Sequence, residues 1–186
     1  MSSKHGRLDR LPAKWRAFLS DLEAALDAPV KVHCIGGFVL VAHYGAPRAT
    51  KDIDYILEIS DAGSDLQSIA GEGTPLAAKH GVCVQRVTVA CLPEDYETRL
   101  EEIFPGELKN LQLMAPDPYD LILTKMDRNN DNDRADAKFL ANKLNLKGKI
   151  LRERYLKEFQ PNFVGNERTL ELTFRLWMEA YFSEPA

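Results

Sequence analysis

One segment, HCIGGFVLVAHYGAPRATKDIDYILEI from His33 to Ile59, constrains the fold more than any other part of the chain. Gly36 and Gly37 interrupt a short apolar strand, and the apolar residues after them predict a helix packed beneath a sheet. Gly45 closes that helix, and a second strand follows, with two acidic residues one position apart at its start. The pattern predicts a mixed structure of strands and helices around the glycine pair.

The rest of the chain extends this pattern and then becomes helical. An amphipathic first helix is predicted from apolar residues at helical spacing, namely Trp15, Phe18, Leu19, Leu22 and Leu26. GVCVQRVTVACL over 81–92 predicts a strand, PEDYETRLEEIF a helix and LKNLQLMA a further strand. After Pro116, Asp117 is the predicted N-cap of a helix with Pro118 in its first turn, and three more helices follow. We therefore expect a mixed core over 1–115 and a helical portion over 116–186.

Composition narrows the possible partners and the compartment. A net charge of −4 argues against a protein that coats DNA or RNA through bulk electrostatics, although one local patch for RNA stays compatible. No apolar run reaches the roughly 20 residues that span a bilayer, so no membrane association is expected. Cys34, Cys83 and Cys91 are odd in number and widely spaced, which indicates free thiols in a reducing cytoplasm rather than a thiolate metal site.

The glycine pair and the acid pair each suggest a binding chemistry. A strand that ends in Gly36-Gly37 and enters a helix lets backbone N–H groups approach phosphate oxygens, although the same pair also makes simple tight turns. Asp52 and Asp54 alternate on a strand, so both carboxylates emerge from one face and repel each other unless a cation lies between them. Mg²⁺ is bound through one or two carboxylates plus substrate phosphates. The alternative interpretation is a solvated strand end with two acids of no function.

The combined pattern resembles the nucleotidyltransferase superfamily. GG followed by PRATKDIDYI has its glycine pair and its strand-borne D-x-D, and GG…HYGAPRATKDID is similar to a bacterial subgroup that includes abortive-infection toxins of toxin–antitoxin pairs. A second block, LMAPDPYDLILTKMDRNNDNDRADAKFL, resembles a bacterial family of unknown function with this fold. The resemblance implies an α+β fold, with a nucleotidyltransferase-type mixed sheet flanked by helices and a C-terminal helical portion.

The resemblance also implies roles for individual residues. Gly36 and Gly37 would line a nucleoside triphosphate, and Asp52 and Asp54 would ligate one or two Mg²⁺. The further nucleotide-binding candidates are Arg48, Thr50, Lys51 and Lys125. A polar loop in which Thr50 bonds its own backbone is the structural alternative for the first three, and a polar network between helices is the alternative for Lys125.

One expected residue is missing from the sequence. Active members of the superfamily generally use a third carboxylate on a neighbouring strand, but 81–92 contains no acid, and Gln85 and Thr88 are the polar residues nearest the expected place. Glu58, Glu94 and Asp95 do not fit the usual pattern. Two interpretations stay open: either Glu94 or Asp95 supplies the base, or the protein binds nucleotide or metal without efficient transfer.

Two functional hypotheses therefore remain. The first is Mg²⁺-dependent transfer of a nucleoside monophosphate from an NTP to a hydroxyl of RNA, such as a tRNA end, or of a protein. In this hypothesis the chain is a cytoplasmic component of a toxin–antitoxin pair with a cognate protein partner. The second is a catalytically silent fold of the same type that binds nucleotide or a partner protein.

Overall fold

The computed structural model describes residues 7–61 and 63–182, which fold as two compact units. The first unit comprises Met1–Thr88 and Leu100–Pro116, and the second comprises Val89–Arg99 and Asp117–Ala186. The strands, all in the first unit, are Val30–Ile35 (β1), Asp52–Ser60 (β2), Cys83–Arg86 (β3), Glu101–Glu102 (β4) and Leu111–Ala115 (β5). The helices are Ala13–Ala24 (α1), Gly36–Ala42 (α2), Leu66–Ala70 (α3), Pro75–His80 (α4), Pro118–Leu123 (α5), Asp131–Lys143 (α6), Gly148–Arg154 (α7) and Glu167–Tyr181 (α8). Short 3-10 helices cover Leu8–Arg10, Tyr96–Arg99 and Gln160–Asn162, and a π-helix covers Tyr155–Phe159.

The first unit is built on a five-stranded mixed sheet with the strand order β3-β2-β1-β5-β4. β1 pairs antiparallel with β2 and parallel with β5, whereas β2 pairs parallel with β3. The two strands that flank the glycine pair in the sequence, β1 and β2, are therefore direct neighbours in the sheet. The second unit is helical, so the expected fold class, a mixed sheet flanked by helices with a C-terminal helical portion, is confirmed.

Helix α1 forms as its apolar periodicity predicts, although it ends at Ala24, before Leu26 of the predicted set. Its core-facing side chains are fully or almost fully buried, namely Trp15, Phe18, Leu19 and Leu22. The Trp15 ring lies 4.9 Å, between centroids, from Phe38 of α2, so the helix that follows the glycine pair is packed into the same core. This packing holds α2 at the end of β1 and thereby fixes the position of the glycines.

The segment between residues 81 and 104 differs from its sequence-based prediction. β3 ends at Arg86, one residue before Val87, whose N–H still donates to the Tyr55 carbonyl of β2 at 2.8 Å. Val89 beyond it is 87% exposed, so the predicted strand does not continue to residue 92. The predicted helix over 93–104 is also wrong, because it forms only a 3-10 turn, Tyr96–Arg99, followed by β4. Glu101 and Glu102 pair with β5, and this tertiary pairing outweighs their helix propensity.

In the second unit, α5 begins as predicted, with the Asp117 side chain accepting the N–H of Tyr119 and Pro118 in the first turn. A buried ionic network follows from this helix. Asp120, whose side chain is 0% exposed, accepts hydrogen bonds from Arg99 at 2.8 and 3.1 Å and from Arg154 at 2.8 Å. Arg99 also contacts Glu158 at 2.6 Å, and Arg154 contacts Asp117 at 2.6 Å. The cations are thus shared among three carboxylates.

A second ionic cluster joins α6 to the loop before it. Asp133 accepts two hydrogen bonds from Arg128, both at 2.8 Å, and forms a capping box with Asn130 at the start of α6. Burial opposes ionisation of Asp133, but the hydrogen bonds from Arg128 and the positive charges of Lys125 and Arg128 outweigh it. The pKa of Asp133 therefore lies below its ordinary value of 3.8.

This lowered pKa predicts an acid dependence of stability. Because ionised Asp133 is favoured in the folded state, its stabilisation is fully present above the unfolded pKa and is lost as pH falls through the lowered folded pKa. We expect Asp133→Asn to reduce the free energy of unfolding by about 2 kcal/mol at neutral pH and to flatten its decline in acid. Urea denaturation as a function of pH measures this, with exposed Asp131→Asn as the control. An unchanged acid slope in Asp133→Asn contradicts the prediction.

None of the helices among the described residues is both long and apolar enough to cross a lipid bilayer.

Candidate functional site

Gly36 begins α2 directly against the carboxylate of Asp54. Its φ of +75° lies in the left-handed region that favours glycine, and Ile35 before it pairs with Asp54 across the β1–β2 ladder. A Cβ added at position 36 would overlap with Oδ2 of Asp54. The space that any other side chain would need is therefore taken by one carboxylate of the D-x-D pair, and only glycine fits here without a shift.

Gly37 has the same relation to the loop before β2. An added Cβ would come within 2.6 Å of Nη2 of Arg48 and 3.1 Å of Oγ1 of Thr50. The Thr50 hydroxyl in turn donates to the backbone carbonyl and to Oδ1 of Asp52, both at 3.3 Å. Both glycines thus contact residues of the sequence pattern. Gly36 lies against Asp54, and Gly37 lies against Arg48 and Thr50.

The two carboxylates share one face of β2. Asp52 and Asp54 are half-buried. The alternate residues of the strand, Ile53 and Tyr55, are buried on the opposite face. Across the parallel β2–β3 ladder, Asp52 is level with Cys83 and Asp54 with Gln85. Because neighbouring residues in register share a face, a thiol and an amide stand next to the two acids on β3.

A β-bulge determines which other acid of β2 shares this face. Leu57 pairs with His33 and Tyr55 with Cys34, so Ile56 is an extra residue on β2. The extra residue reverses the alternation, and Glu58 joins the face of Tyr55 instead of the face of Asp54. Its carboxylate accepts the N–H of Leu66 at 3.0 Å, at the start of α3. Glu58 is therefore not the third acid of the carboxylate pair.

A further negative charge near the Cys83 thiol comes from Glu72, which was not among the candidate site residues identified from the sequence. Burial raises the pKa of the Cys83 thiol, and the negative charges of Asp52, Glu72 and Asp54 raise it further. Glu72 lies in the turn after Gly71, whose backbone bridges to Val84 of β3. Nothing in the local pattern of this turn identifies Glu72, because its position follows from the pairing of β3 with β2.

The remaining predicted residues have different surroundings. Lys51 is exposed, and its carbonyl accepts the N–H of Cys83 at 3.1 Å, so it marks the start of the β2–β3 ladder. Lys125 belongs to the second unit and is only 4% exposed. Its ammonium lies 2.8 Å from Asp136 and 3.6 Å from Asp133, as the alternative of a polar network between helices predicts. A phosphate contact by Lys125 stays a prediction, as do roles for Glu94 and Asp95 of the second unit.

The carboxylate pair fits the way in which proteins bind Mg²⁺. Within residues 7–61 and 63–182, no three His, Cys, Asp or Glu side chains are grouped to hold a metal ion. Mg²⁺ does not need such a cage, because it is usually held by one or two carboxylates while phosphate oxygens and water complete its shell. Asp52 and Asp54 present two carboxylates on one face of β2, and the backbone of Gly36 and Gly37 lies directly against Asp54, Arg48 and Thr50.

A mixed sheet with a glycine pair packed against a D-x-D on the adjoining strand is the arrangement that the resemblance to nucleotidyltransferases implies. Residues 15–179 match a family described as "Nucleotidyltransferase of unknown function (DUF6036)", and the chain belongs to this family. The match confirms the resemblance to a nucleotidyltransferase family of unknown function. Comparison with curated proteins gives no match, and comparison with solved structures gives none.

Proposed function

We propose that the chain transfers a nucleoside monophosphate from an NTP to an acceptor hydroxyl, with Mg²⁺ held by Asp52 and Asp54. The observation that carries the proposal is the packing of Gly36 on Asp54 and of Gly37 on Arg48 and Thr50. It supports one site in which the two carboxylates, a cation and the backbone at the start of α2 adjoin each other. A polyphosphate and its metal need these features together.

Each group in this site has a distinct task in the proposed reaction. The first N–H groups of α2 have no hydrogen-bond partners within the helix, and Ile35 at the N-cap has no side-chain acceptor for them. These groups are therefore suited to bind phosphate oxygens. Arg48 next to Gly37 adds a cation for the same phosphates, and Thr50 holds Asp52 in place. Lys51, exposed at the start of β2, is a further phosphate contact in this proposal. When bound, Mg²⁺ neutralises charge at the α-phosphorus and on the leaving pyrophosphate.

The chemical step needs no covalent intermediate on the protein. The acceptor oxygen bonds to the α-phosphorus, the bond between the α-phosphorus and the bridging oxygen breaks, and pyrophosphate leaves. Because Gln85 is level with Asp54 where a carboxylate would act as a base, the hydroxyl proton passes to water. This difference predicts transfer slower than in relatives with a third acid.

The same Gln85 favours a second candidate function. A site that lacks the third acid on β3 retains its phosphate-binding groups, so a silent protein that binds nucleotide, or a partner protein through it, is the alternative. For the active form we propose RNA, such as a tRNA end, or protein as acceptor. We also propose a toxin–antitoxin context, suggested by the resemblance of GG…HYGAPRATKDID alone, and a bacterial cytoplasm as the compartment. The three free cysteines fit a reducing compartment.

Incubation with each α-labelled NTP, Mg²⁺ and bacterial RNA or lysate tests the proposal. We expect label on one acceptor class, and we expect Asp52→Asn to reduce it about 100-fold because a metal ligand is lost. Asp61→Asn is the matched control, since Asp61 is an exposed acid immediately after β2. Omission of Mg²⁺ should also remove the label.

The outcomes separate the two candidate functions. Equal labelling by wild type and Asp52→Asn contradicts the transferase proposal. Absence of label with every NTP, together with a nucleotide-dependent rise in Tm that Asp52→Asn removes, identifies the silent binder. Absence of both label and Tm shift contradicts both functions.

A further inference from the structure

One stretch of the helical unit carries charge of a single sign. Residues 137–152 contain five cations and no acidic residue, namely Lys138, Lys143, Lys147, Lys149 and Arg152. All five of these residues are exposed, although the chain as a whole has a net charge of −4. A local positive surface of this kind attracts a polyanion even where the net charge of the protein does not.

The acidic residues that border this stretch are engaged with cations outside it. Asp136 is buried and accepts a hydrogen bond from Lys125 at 2.8 Å. Glu153 pairs with Lys157 at 2.6 Å. Much of the negative charge at both ends of the stretch is therefore compensated elsewhere, and the positive charge between them dominates this surface.

A shallow depression of about 540 Å³ lies on α6 within this stretch. Its lining residues have the spacing of a single helix face, namely Ala135, Lys138, Phe139, Asn142 and Lys143. The other side of α6 packs into the unit through Ala137, Leu140 and Ala141, which are buried. The depression therefore lies on the solvent side of the helix.

An aromatic ring lies between the two lysines of the depression. Phe139 is half-buried and lines the depression, so part of its ring is open to a ligand. The Lys143 ammonium lies 5.2 Å from the centroid of this ring, within the range of a cation–π contact. Asn142 beside them has an amide that can both donate and accept hydrogen bonds. Cations next to an exposed ring are suited to single-stranded nucleic acid, because the cations contact phosphates and a base stacks on the ring.

The turn after α6 brings a third lysine to the same end of the helix. Leu146 donates its N–H to the carbonyl of Ala141 at 3.0 Å, so the chain folds back onto the last turn of α6. Lys147 follows directly and is exposed. Because a nucleic-acid strand carries one phosphate per nucleotide, Lys138, Lys143 and Lys147 match a short segment of it.

We propose that the α6 surface, formed by Lys138, Phe139, Asn142, Lys143 and Lys147, binds a single-stranded segment of RNA. A base stacks on Phe139, the three lysines contact phosphates, and Asn142 hydrogen-bonds the edge of a base. The choice of RNA rests on the proposed transferase function and deepens it, because it selects RNA rather than protein as the acceptor. Binding at the α6 surface itself needs neither NTP nor metal.

Fluorescence anisotropy of a short labelled oligouridine, without NTP or Mg²⁺, tests the binding. We expect a Kd on the order of 10 μM at low salt. The logarithm of the association constant should fall with the logarithm of salt concentration with a slope of about −2, since each neutralised phosphate of a single strand contributes about −0.7. Oligodeoxyuridine of the same length should bind no more tightly, and polyglutamate should compete poorly because it has no base to stack. Equal competition by polyglutamate, or tighter binding of the DNA, overturns the assignment to RNA.

Phe139→Ala and Lys138→Gln separate stacking from charge. Phe139→Ala should raise the Kd about tenfold and leave the salt slope unchanged. Lys138→Gln should reduce the magnitude of the slope by about 0.7. Phe139→Tyr keeps an aromatic face and should bind as wild type does. If Phe139→Ala unfolds, Phe139→Leu replaces it, because leucine keeps an apolar contact without an aromatic face.

Lys157→Gln is the matched control, since Lys157 is an exposed lysine of the same unit outside the α6 surface. Its Kd and salt slope should equal those of wild type. An unchanged Kd in Phe139→Ala contradicts the proposal. An effect of Lys157→Gln as large as that of Lys138→Gln also contradicts it, because binding would then follow net charge alone.

Failure of this inference and failure of the transferase proposal are distinguishable. Asp52→Asn should bind oligouridine with the Kd of wild type, because Asp52 belongs to the first unit and α6 to the second. If wild type transfers label to RNA and a Lys138→Gln, Lys143→Gln double variant binds and labels RNA equally well, the inference is wrong and the transferase function stands. RNA binding with the expected variant effects, but without label from any NTP, supports the α6 surface and contradicts only the transferase proposal.

Discussion

Gly36→Ala is expected to reduce label transfer by about 1000-fold, the largest effect on activity of any single methyl group added to this chain. The added Cβ overlaps with Oδ2 of Asp54, so the carboxylate must move. A displacement of about 1 Å at a reacting centre can reduce a rate by about 100-fold, and a displaced Asp54 also weakens the proposed hold on the metal. The nucleotide-dependent rise in Tm should disappear as well, which keeps the test valid if the protein only binds nucleotide.

Gly106→Ala is a closely matched control for backbone strain. Gly106 has the same φ of +75° as Gly36, but among the described residues no atom outside its immediate chain neighbours lies within 4 Å of an added Cβ. Both variants should lose roughly 1–2 kcal/mol of stability from the left-handed backbone, measured by urea denaturation. Only Gly36→Ala should lose transfer and nucleotide binding. If the two variants retain equal activity, the glycine pair is not part of the site.

Asp120→Ala should have the largest effect on stability, a loss of about 3 kcal/mol in the free energy of unfolding. Removal of one partner from a buried ion pair leaves the other charge without compensation, and Asp120 has two such partners, Arg99 and Arg154. Each arginine retains one further carboxylate, Glu158 or Asp117, and for this reason the estimate is at the lower end of the usual range. Urea denaturation followed by circular dichroism of the helices measures the loss.

Glu153→Ala provides the comparison for an exposed ion pair in the same unit. Glu153 pairs with Lys157 at 2.6 Å one helical turn away, and both side chains are mostly exposed. Pairs of this kind contribute little, so the denaturation midpoint should hardly change. If Glu153→Ala and Asp120→Ala lose similar free energies of unfolding, the buried network around Asp120 contributes no more to stability than an exposed ion pair, which contradicts the prediction.

Local pattern was sufficient for the elements whose signals are periodic or carried by caps. The apolar spacing of Trp15 to Leu22 predicted α1, and Asp117 with Pro118 predicted the start of α5. Pattern failed between 81 and 104, where the pairing with β2 ends after Val87 and Glu101 pairs with β5. Strand propensity expresses the fit to a sheet, and the presence of that sheet cannot be derived from the segment itself.

The candidate site divides in the same way. Alternation along one strand predicted that Asp52 and Asp54 share a face, because this depends on local geometry alone. The bulge at Ile56 and the proximity of Glu72 to Cys83 depend on the register between strands, which no local signal specifies. Whether Glu58 serves as the third acid therefore could not be decided until the pairing of His33 with Leu57 was known.

Both edge strands of the sheet are short. β3 has 4 residues and β4 only 2, so few unpaired N–H and C=O groups are presented at either side. Long, flat edge strands favour strand addition by other chains, whereas short edge strands disfavour it. We therefore expect a macromolecule that binds at β3 or β4 to contact mainly side chains and loops, because these two strands offer little backbone to extend.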